Sequence, residues 1–556
     1  MENKFRTHYC KEINEKNIDN EVIISGWVNN IRNLGKIIFL EIRDISGKIQ
    51  VIVNNEIKNE IKKEYVLKIS GVVKKKEKSN SDIEILANKI IIINKVNKKL
   101  PFFPCEGKEI NELMALKYRY IYIRENEEAK KIIIRSKIIN DIRKILNKEN
   151  FLEIETPILT KSTPEGSRDY IVPSRICKKN FFALPQSPQI FKQILMISGI
   201  EKYYQIAKCF RDEDIRSDRQ PEFTQLDIEC SFTDEKYIMN LIEYIICFLF
   251  KKYLGINLKK PFKKISYKKS IKNFASDKPD LRNPLKIKFL NKKIGIIKNK
   301  RLKYLIIKDK HNIINNEKII EYKQFLKDSQ IKKYIYIKIN NDNEIISNIK
   351  KPIILKEKLN IKKNRFILIF LKYKNIENLS IIRNKIYEDI NKIKNKYKIL
   401  WVINHPMFEW NKIEKKWDAN HHPFTSPIDE NLINSKINLR KIYSKSYDLV
   451  INGIEIGGGS IRIHNYETQE KIFKIIEKEE NLLKEFDFFI EAIKSGCPPM
   501  GGIALGLDRL IMMITNSKSI KDIIAFPKTY TTNCPLTNAP SKIDIKNLYE
   551  LGLNYK

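Results

Sequence analysis

Glycine is scarce in this chain, 18 residues in 556, yet Gly453, Gly457, Gly458, Gly459, Gly496, Gly501, Gly502 and Gly506 crowd into one short stretch. Glycine makes up about 3 % of the chain against ~7 % in average proteins. Concentrating it here predicts a backbone that must approach something more closely than a Cβ allows, with a pair of tight turns as the plainer reading. Any fold proposed for the chain has to place that stretch where close approach is needed.

The length, 556 residues, exceeds what one hydrophobic core supports, so three or more domains are expected. Residues 21–28, 36–44, 48–53, 65–73 and 83–93 are short runs rich in Val and Ile, separated by Gly, Asn or Ser. They read as five strands, which fit a small closed barrel of the OB type. By pattern alone another small β-barrel fits nearly as well. Pro101 and Pro104 mark a linker, and Ile134, Ile138, Ile142 and Ile145 recur at helical spacing within 127–150. Phe151 to Thr156 then reads as a strand running into Pro157. Residues 285–396 are dense in Lys, Ile and Asn, with one glycine (Gly295), one proline (Pro352) and neither Cys nor Trp. They look like an inserted domain, so the chemistry is expected in 131–284 and 397–540, folded together around it.

Lys and Arg number 105 against 67 Asp and Glu, a formal charge of +38. Such a surplus favours a polyanionic partner, nucleic acid first, although AT-rich coding also enriches lysine. The eight cysteines form no C-x-x-C pair, which argues against a zinc ribbon or a disulfide framework and suits a reducing cytoplasm. The N-terminus has no apolar signal core. The most apolar helical run, 238–250, is broken by Glu243 and falls short of the ~18 residues a membrane span needs.

Three constellations carry chemistry. Phe210-Arg211-Asp212-Glu213 ends one strand-like run, is followed by the charged loop 214–220, and precedes a second run at 223–229. An arginine fixed on such a hairpin can grip a phosphate with its planar fork, and a nearby glutamate can accept from an adenine amino group. Gly501 to Leu510 reads as a glycine-rich strand leading into a helix near Asp508, with Arg509 able to reach phosphates. Glu455-Ile456-Gly457-Gly458-Gly459-Ser460-Ile461-Arg462 supplies a carboxylate, and Asp448 lies upstream on the same run. Two carboxylates beside phosphates suit magnesium, which takes oxygen ligands. His421 and His422 could ligate a metal, but no third ligand is apparent in the sequence. No G-x-x-x-x-G-K-[ST] loop is present.

The helix and strand ending in Pro157, then Phe210 to Glu213 with its loop and return strand, then Gly506 to Arg509 resemble, in that chain order, the three signature motifs of class II aminoacyl-tRNA synthetases, the first of them a dimer-interface element in that class. Thr163 to Tyr170, Ala183 to Gln193, Asp212 to Gln225, Ser276 to Arg282 and His421 to Pro427 are similar to segments of the bacterial-type aspartyl family within that class. The resemblance implies an α+β multidomain chain. An OB-type anticodon-binding barrel would occupy 1–104 and a hinge 105–130. A catalytic domain with an antiparallel sheet flanked by helices would occupy 131–284 and 397–540, interrupted by a divergent α+β insertion at 285–396. A tail would span 541–556.

It also implies roles. Lys192 and Arg462 would pair with the β-carboxylate of aspartate, and Glu165, Gln189 and Asp227 would bind its ammonium. Arg211 would neutralise the α-phosphate and the attacked carboxylate. His421 would close over the substrate. Asp212, Glu213, Gln220, Gly506, Leu507, Asp508 and Arg509 would line the ATP site. Asp448 and Glu455 would hold Mg2+. Phe39, Gln50 and Glu84 would contact the anticodon. The implied partners are ATP, L-aspartate, tRNA-Asp, with tRNA-Asn left open, and a second copy of the chain. Met500 stands where that family commonly has histidine. The competing readings are an asparaginyl or lysyl relative and a non-catalytic tRNA-binding protein.

Overall fold

The computed structural model describes residues 3–554 except 36, 55–60, 77–82, 105–108, 163–166, 291–301, 310, 392–396, 435–437 and 477–483. Five strands, β1 (Glu21–Asn33), β2 (Ile37–Arg43), β3 (Lys48–Asn54), β4 (Val66–Lys75) and β5 (Ile83–Asn94), close into a barrel in the order β1-β2-β3-β5-β4. Alternation drives it: Val22, Ile24, Leu40, Ile42, Val51, Leu67 and Ile69 point inward and are buried. β1 runs past the expected residue 28 because a bulge between Val28 and Asn30 bends it onward along β2. Phe39, Gln50 and Glu84 share the outer face of the barrel, where Gln50 Nε2 donates to Glu84 Oε2 at 2.7 Å.

Helix α1 (Asn126–Lys148) follows the hinge region. The hinge is pinned at both ends. Arg124 donates to Glu64 of the barrel at 2.9 Å, and Arg119 donates to the carbonyls of Ala525 and Ile524 at 2.8 and 2.9 Å.

The second body is built on an eight-stranded sheet. Its strands are β6 (Leu152–Glu153), β7 (Lys202–Phe210), β8 (Glu222–Ser231), β9 (Lys263–Ser266), β15 (Ile399–Ile403), β16 (Ser446–Ile451), β17 (Ile454–Ile461) and β18 (Met500–Gly506). The spatial order is β9-β15-β16-β17-β18-β8-β7-β6. The interior pairs are antiparallel; β6 with β7 and β9 with β15 are parallel. One face packs under α1, α3 (Glu235–Leu254) and the helix Leu507–Ile514, burying Ile138, Ile142, Leu226, Ile228, Leu510 and Ile511. Period two then turns Gln225, Asp227 and Glu229 of β8 to the opposite face. Helix α2 (Gln189–Ile197) packs against that strand. Glu243, which broke the apolar run, is buried in α3 and accepts from Phe262 N and Trp401 Nε1, each at 3.0 Å. Among the described residues no helix is long and apolar enough to cross a membrane.

Between β9 and β15 the Lys- and Ile-rich stretch folds as its own layer. β10 (Lys288–Leu290), β11 (Leu302–Lys308), β12 (Lys333–Ile339), β13 (Ile345–Ser347) and β14 (Arg365–Lys372) form an antiparallel sheet in the order β10-β11-β14-β12-β13. Helices α4 (Asn316–Asp328) and α5 (Glu377–Ile390) cover one face through Ile319, Tyr322, Leu379 and Ile382. Arg383 ties this layer to the body, donating to the carbonyls of Leu285 and Asn283 at 2.7 Å each. Burial pulls its guanidinium down to about 10.

Candidate active site

The open face of the eight-stranded sheet carries a cavity of about 360 Å3, lined among others by Gln189, Arg211, Glu213, Gln220, Asp227, His421, Glu455, Arg462, Gly506, Asp508 and Arg509. The three constellations therefore converge, brought together because β8 lies beside β18 and β18 beside β17. The glycines explain themselves here. A Cβ on Gly502 would fall 2.1 Å from Glu229 Oε2, and one on Gly458 would fall 2.8 Å from Asp448 Oδ1. The close approach is of neighbouring strands and buried carboxylates to this backbone.

Among the described residues, three polar atoms of cavity-lining side chains are buried without a hydrogen-bond partner: Arg211 Nε, Asp227 Oδ2 and Gln189 Nε2. Buried polar atoms are rarely left so, and here two donors and one acceptor face the same space. That set fits an amino acid bearing both an ammonium and a carboxylate. Burial raises the Asp227 carboxyl, and the Lys192 ammonium works against that rise.

Lys192 and Arg462 do not stand as two unopposed cations over the cavity, as the sequence suggested. Glu229 lies between them. Arg462 grips it through Nε–Oε1 at 2.7 Å and Nη2–Oε2 at 3.0 Å, while Lys192 Nζ is 2.9 Å from Asp227 Oδ1 and 3.4 Å from Glu229 Oε2. Two cations and two carboxylates make a neutral, fully buried quartet. Lys192 is 1 % exposed, behind the cavity wall. Glu229 was legible, since it lies two residues beyond Asp227 on one strand and so on one face. Arg462 also donates to His422 Nε2 at 2.6 Å. Burial first, then Arg462, pushes the His422 imidazole well below its ordinary value, so it stays neutral.

Several expected contacts are redirected. Gln220 lines the cavity, but its amide clasps the backbone of Lys528, donating to the carbonyl at 3.3 Å and accepting from N–H at 2.8 Å. Asp508 also lines it, yet its carboxylate accepts from Arg135 and from Thr224 N at 2.8 Å. It positions β8. Leu507 is fully buried in the core under the sheet. Asp212 lines an adjoining groove with Arg168 and Tyr530. Met500 packs with Met196 and Tyr203 away from the cavity. Glu165 lies outside the described residues.

Of the phosphate-directed groups, Arg211 is the least committed, its guanidinium 5.1 Å from the Phe223 ring. Arg509 is braced by Asp218 at 3.1 Å and by the Glu455 carbonyl at 3.0 Å. Glu213 accepts from Ser167 and from Arg219 at 2.6 Å; burial raises its carboxyl, but these partners outweigh that and hold it below the usual range.

The two carboxylates expected at a metal have different partners. Glu455 lines the cavity with Oε2 2.6 Å from Lys278 Nζ. Burial lowers Lys278, but Glu455, with Asp277 and Asp448 further off, outweighs it and holds the ammonium above its usual value. A hydrated Mg2+ fits Glu455, whose side chain is 29 % exposed. Asp448 is 5 % exposed and faces two imidazoles, His405 and His421, at 3.3 and 3.4 Å. So His421 does have companion ligand groups, but they are His405 and Asp448 rather than His422.

The comparisons agree with this architecture. Residues 111–530 match the family described as tRNA synthetases class II (D, K and N), and residues 22–93 match the OB-fold nucleic acid binding domain. An aspartate–tRNA ligase of Buchnera aphidicola subsp. Schizaphis graminum is 44 % identical, with 99 % of each chain covered. Aspartate–tRNA(Asp/Asn) ligases of Borreliella burgdorferi and Legionella pneumophila are 44 % and 40 % identical, with 99 % of this chain covered and 99 % and 98 % of theirs. The crystal structure of an asparaginyl-tRNA synthetase from Pyrococcus horikoshii superposes with a TM-score of 0.60 at 19 % identity, covering 94 % of this chain and 98 % of that one, and so shares the fold. With an OB barrel joined to a class II sheet and near-complete coverage by such relatives, the chain belongs to the aspartate–tRNA ligase family of class II aminoacyl-tRNA synthetases.

Proposed function

We propose that this enzyme activates L-aspartate with ATP and transfers it to tRNA-Asp. The observation that carries the substrate is the juxtaposition of the orphaned Arg211 Nε, Asp227 Oδ2 and Gln189 Nε2 with the buried Lys192–Glu229–Arg462 relay. Asp227 Oδ2 accepts from the substrate ammonium, and Arg462 turns part of its fork to the β-carboxylate. Arg211 bridges the α-carboxylate and the α-phosphate. The carboxylate oxygen attacks phosphorus in line, the bond to the bridging oxygen breaks, and pyrophosphate leaves with aspartyl-adenylate held in place. A ribose hydroxyl at the tRNA 3′ end then attacks the acyl carbon and AMP departs. The protein's contribution is positioning and charge stabilisation, with no protein nucleophile. Magnesium accompanying ATP would be held at Glu455 and would screen the phosphate charge. Arg509 would meet the γ-phosphate and Glu213 the adenine.

Phe39, Gln50 and Glu84 on the outer barrel face would meet the anticodon, Phe39 by stacking. The exposed apolar side chains Leu152, Ile158 and Leu159 beside the first motif support a homodimer. The test is charging of labelled aspartate onto purified tRNA-Asp and tRNA-Asn separately, with ATP and magnesium. Charging of tRNA-Asp alone identifies a discriminating enzyme, and charging of both a dual one. Charging of neither by folded protein would overturn the proposal.

A further inference from the structure

His405 sits just beyond β15 and is 3 % exposed. Its Nδ1 lies 3.0 Å from Ser446 Oγ, Ser446 Oγ lies 2.8 Å from Ser444 Oγ, and Ser444 Oγ donates to the His405 carbonyl at 3.1 Å. This chain of contacts has one proton arrangement. A carbonyl only accepts, so the Ser444 proton goes there. The Ser446 proton must then make the contact to Ser444, and Ser446 Oγ accepts from His405 Nδ1–H. The Nδ1–H tautomer of His405 turns a bare lone pair at Nε2 toward Asp448, whose carboxylate is also an acceptor, 3.3 Å away. His405 Nε2 and Asp448 Oδ1 are both buried with no hydrogen-bond partner among the described residues. The third group, His421, brings Nε2 to 3.4 Å from Asp448 Oδ1. Acceptors packed face to face call for a cation between them.

The spacing indicates which cation. Tetrahedral coordination at ~2.0–2.1 Å sets ligand atoms roughly 3.3 Å apart. Two of the contacts are at 3.3 and 3.4 Å, and all three ligand atoms lie within 4.8 Å of one another. The widest gap closes by rotation of His421, whose side chain is 20 % exposed. Two imidazoles and one carboxylate suit zinc-class ions and not magnesium, which prefers oxygen alone. The hydroxyl on His405 Nδ1 is the outer partner that orients a metal-binding imidazole.

We propose that His405, His421 and Asp448 form a site for a divalent transition-metal ion of the zinc class, with its fourth position open to the cavity. Its ligands are distinct from Glu455, where magnesium would be held, and filling it withdraws His421 and Asp448 from the substrates, so the metal inhibits. The binding claim stands on the geometry alone; the inhibition rests on the aspartate-activating reaction proposed above.

The test is titration of the full-length chain with Co2+ as a spectroscopic probe. The expected result is one Co2+ per chain, with the visible absorption of a four-coordinate nitrogen and oxygen site and without the near-ultraviolet band of thiolate ligation. His405→Phe, which keeps an aromatic ring against Tyr267, should abolish that spectrum, and Ser446→Ala should weaken binding by about 10- to 100-fold. If His405→Phe does not fold by circular dichroism, His421→Ala replaces it. A spectrum unchanged in these variants, or no such spectrum in the native chain, would overturn the proposal and leave a protonated His405 paired with Asp448. In a second arm, Zn2+ should inhibit aspartate-dependent ATP–pyrophosphate exchange reversibly by chelation. Absence of exchange in metal-free native enzyme would count against the proposed reaction while the Co2+ result still decided the site.

Discussion

Replacing Glu229 by glutamine removes one charge from the quartet and almost no volume, so it isolates electrostatics from packing. In the native chain two cations face two carboxylates at 2.7 to 3.4 Å. Unit charges 3.4 Å apart interact by about 5 kcal/mol at an effective dielectric of ~20. Glutamine keeps a carbonyl for Arg462 and recovers part of this. Its amide, though, turns donors toward Lys192 or Arg462, which have no use for them. Removing one member of a buried ion pair costs ~3–5 kcal/mol, and that is the expected loss.

Calorimetry of the full-length enzyme is the assay, because a chain with several cores does not unfold in one step. The transition of the catalytic body is the one that rises when ATP and aspartate are added. In Glu229→Gln it should fall by on the order of 10 °C. It should then recover more with added chloride or sulfate than the native chain does, because the variant buries a surplus positive charge. The KM for aspartate in pyrophosphate exchange should fall by about tenfold, ~1.4 kcal/mol in binding, because Arg462 no longer has to be drawn from a charged resident partner. A variant that melts within a degree of the native enzyme, with unchanged KM and no added sensitivity to anions, would refute the neutral quartet.

Three further outcomes are expected. Gly502→Ala places a methyl 2.1 Å from both Glu229 Oε2 and Ile228 O, so β8 and β18 must part; the catalytic transition should fall by ~3 kcal/mol or more and exchange activity should drop, read by calorimetry and kinetics. Phe39→Ala should raise the KM for tRNA by roughly 5- to 150-fold, for ~1–3 kcal/mol of lost stacking, with the loss falling on charging and not on aspartate-dependent exchange. His422 is held well below 6.5 when folded, so between that value and 6.5 the unfolded chain binds a proton that the folded chain refuses. Stability should therefore fall as pH drops below 6.5, by up to ~1.4 kcal/mol per unit from this group, and His422→Gln should flatten the slope by one proton.

Local periodicity explains what could be read before any fold was known. The five barrel strands and α1 are signalled by alternation and by Ile138-x-x-x-Ile142, and they form close to where the pattern puts them. The extension of β1 was not visible, because a bulge leaves no mark in composition. The insertion has only Gly295 and Pro352 to punctuate its elements, so its order was obscure, although Lys333–Ile339 and Arg365–Lys372 are strands by β-branched and aromatic content. In the site, motif position told which residues would be near, and not which way they would point. Gly506, Leu507, Asp508 and Arg509 are consecutive, yet the helix turns Leu507 into the core and Asp508 onto Arg135, leaving Arg509 for the cavity. His405 had no signal at all. A single histidine after a strand becomes a candidate ligand only once β15 is laid beside β16.

The glycine cluster and the buried charges are one feature seen twice. Glu229 reaches Arg462 only because Gly502 has no side chain, and Asp448 sits against β17 only because Gly458 has none. Flattening the sheet there makes room for carboxylates in its interior, and those carboxylates let Lys192 and Arg462 be buried without a ligand. Two bare cations would bind aspartate strongly but would be costly to hold in its absence. In the proposed reaction Glu229 therefore serves as a resident counter-anion from which Arg462 must be partly drawn. A β-carboxylate can do that by charge. The neutral amide of asparagine cannot, because it offers Arg462 a weaker acceptor than the carboxylate it would leave. On this argument discrimination comes from the exchange of one anion for another, and the side chain that sets its threshold is Glu229.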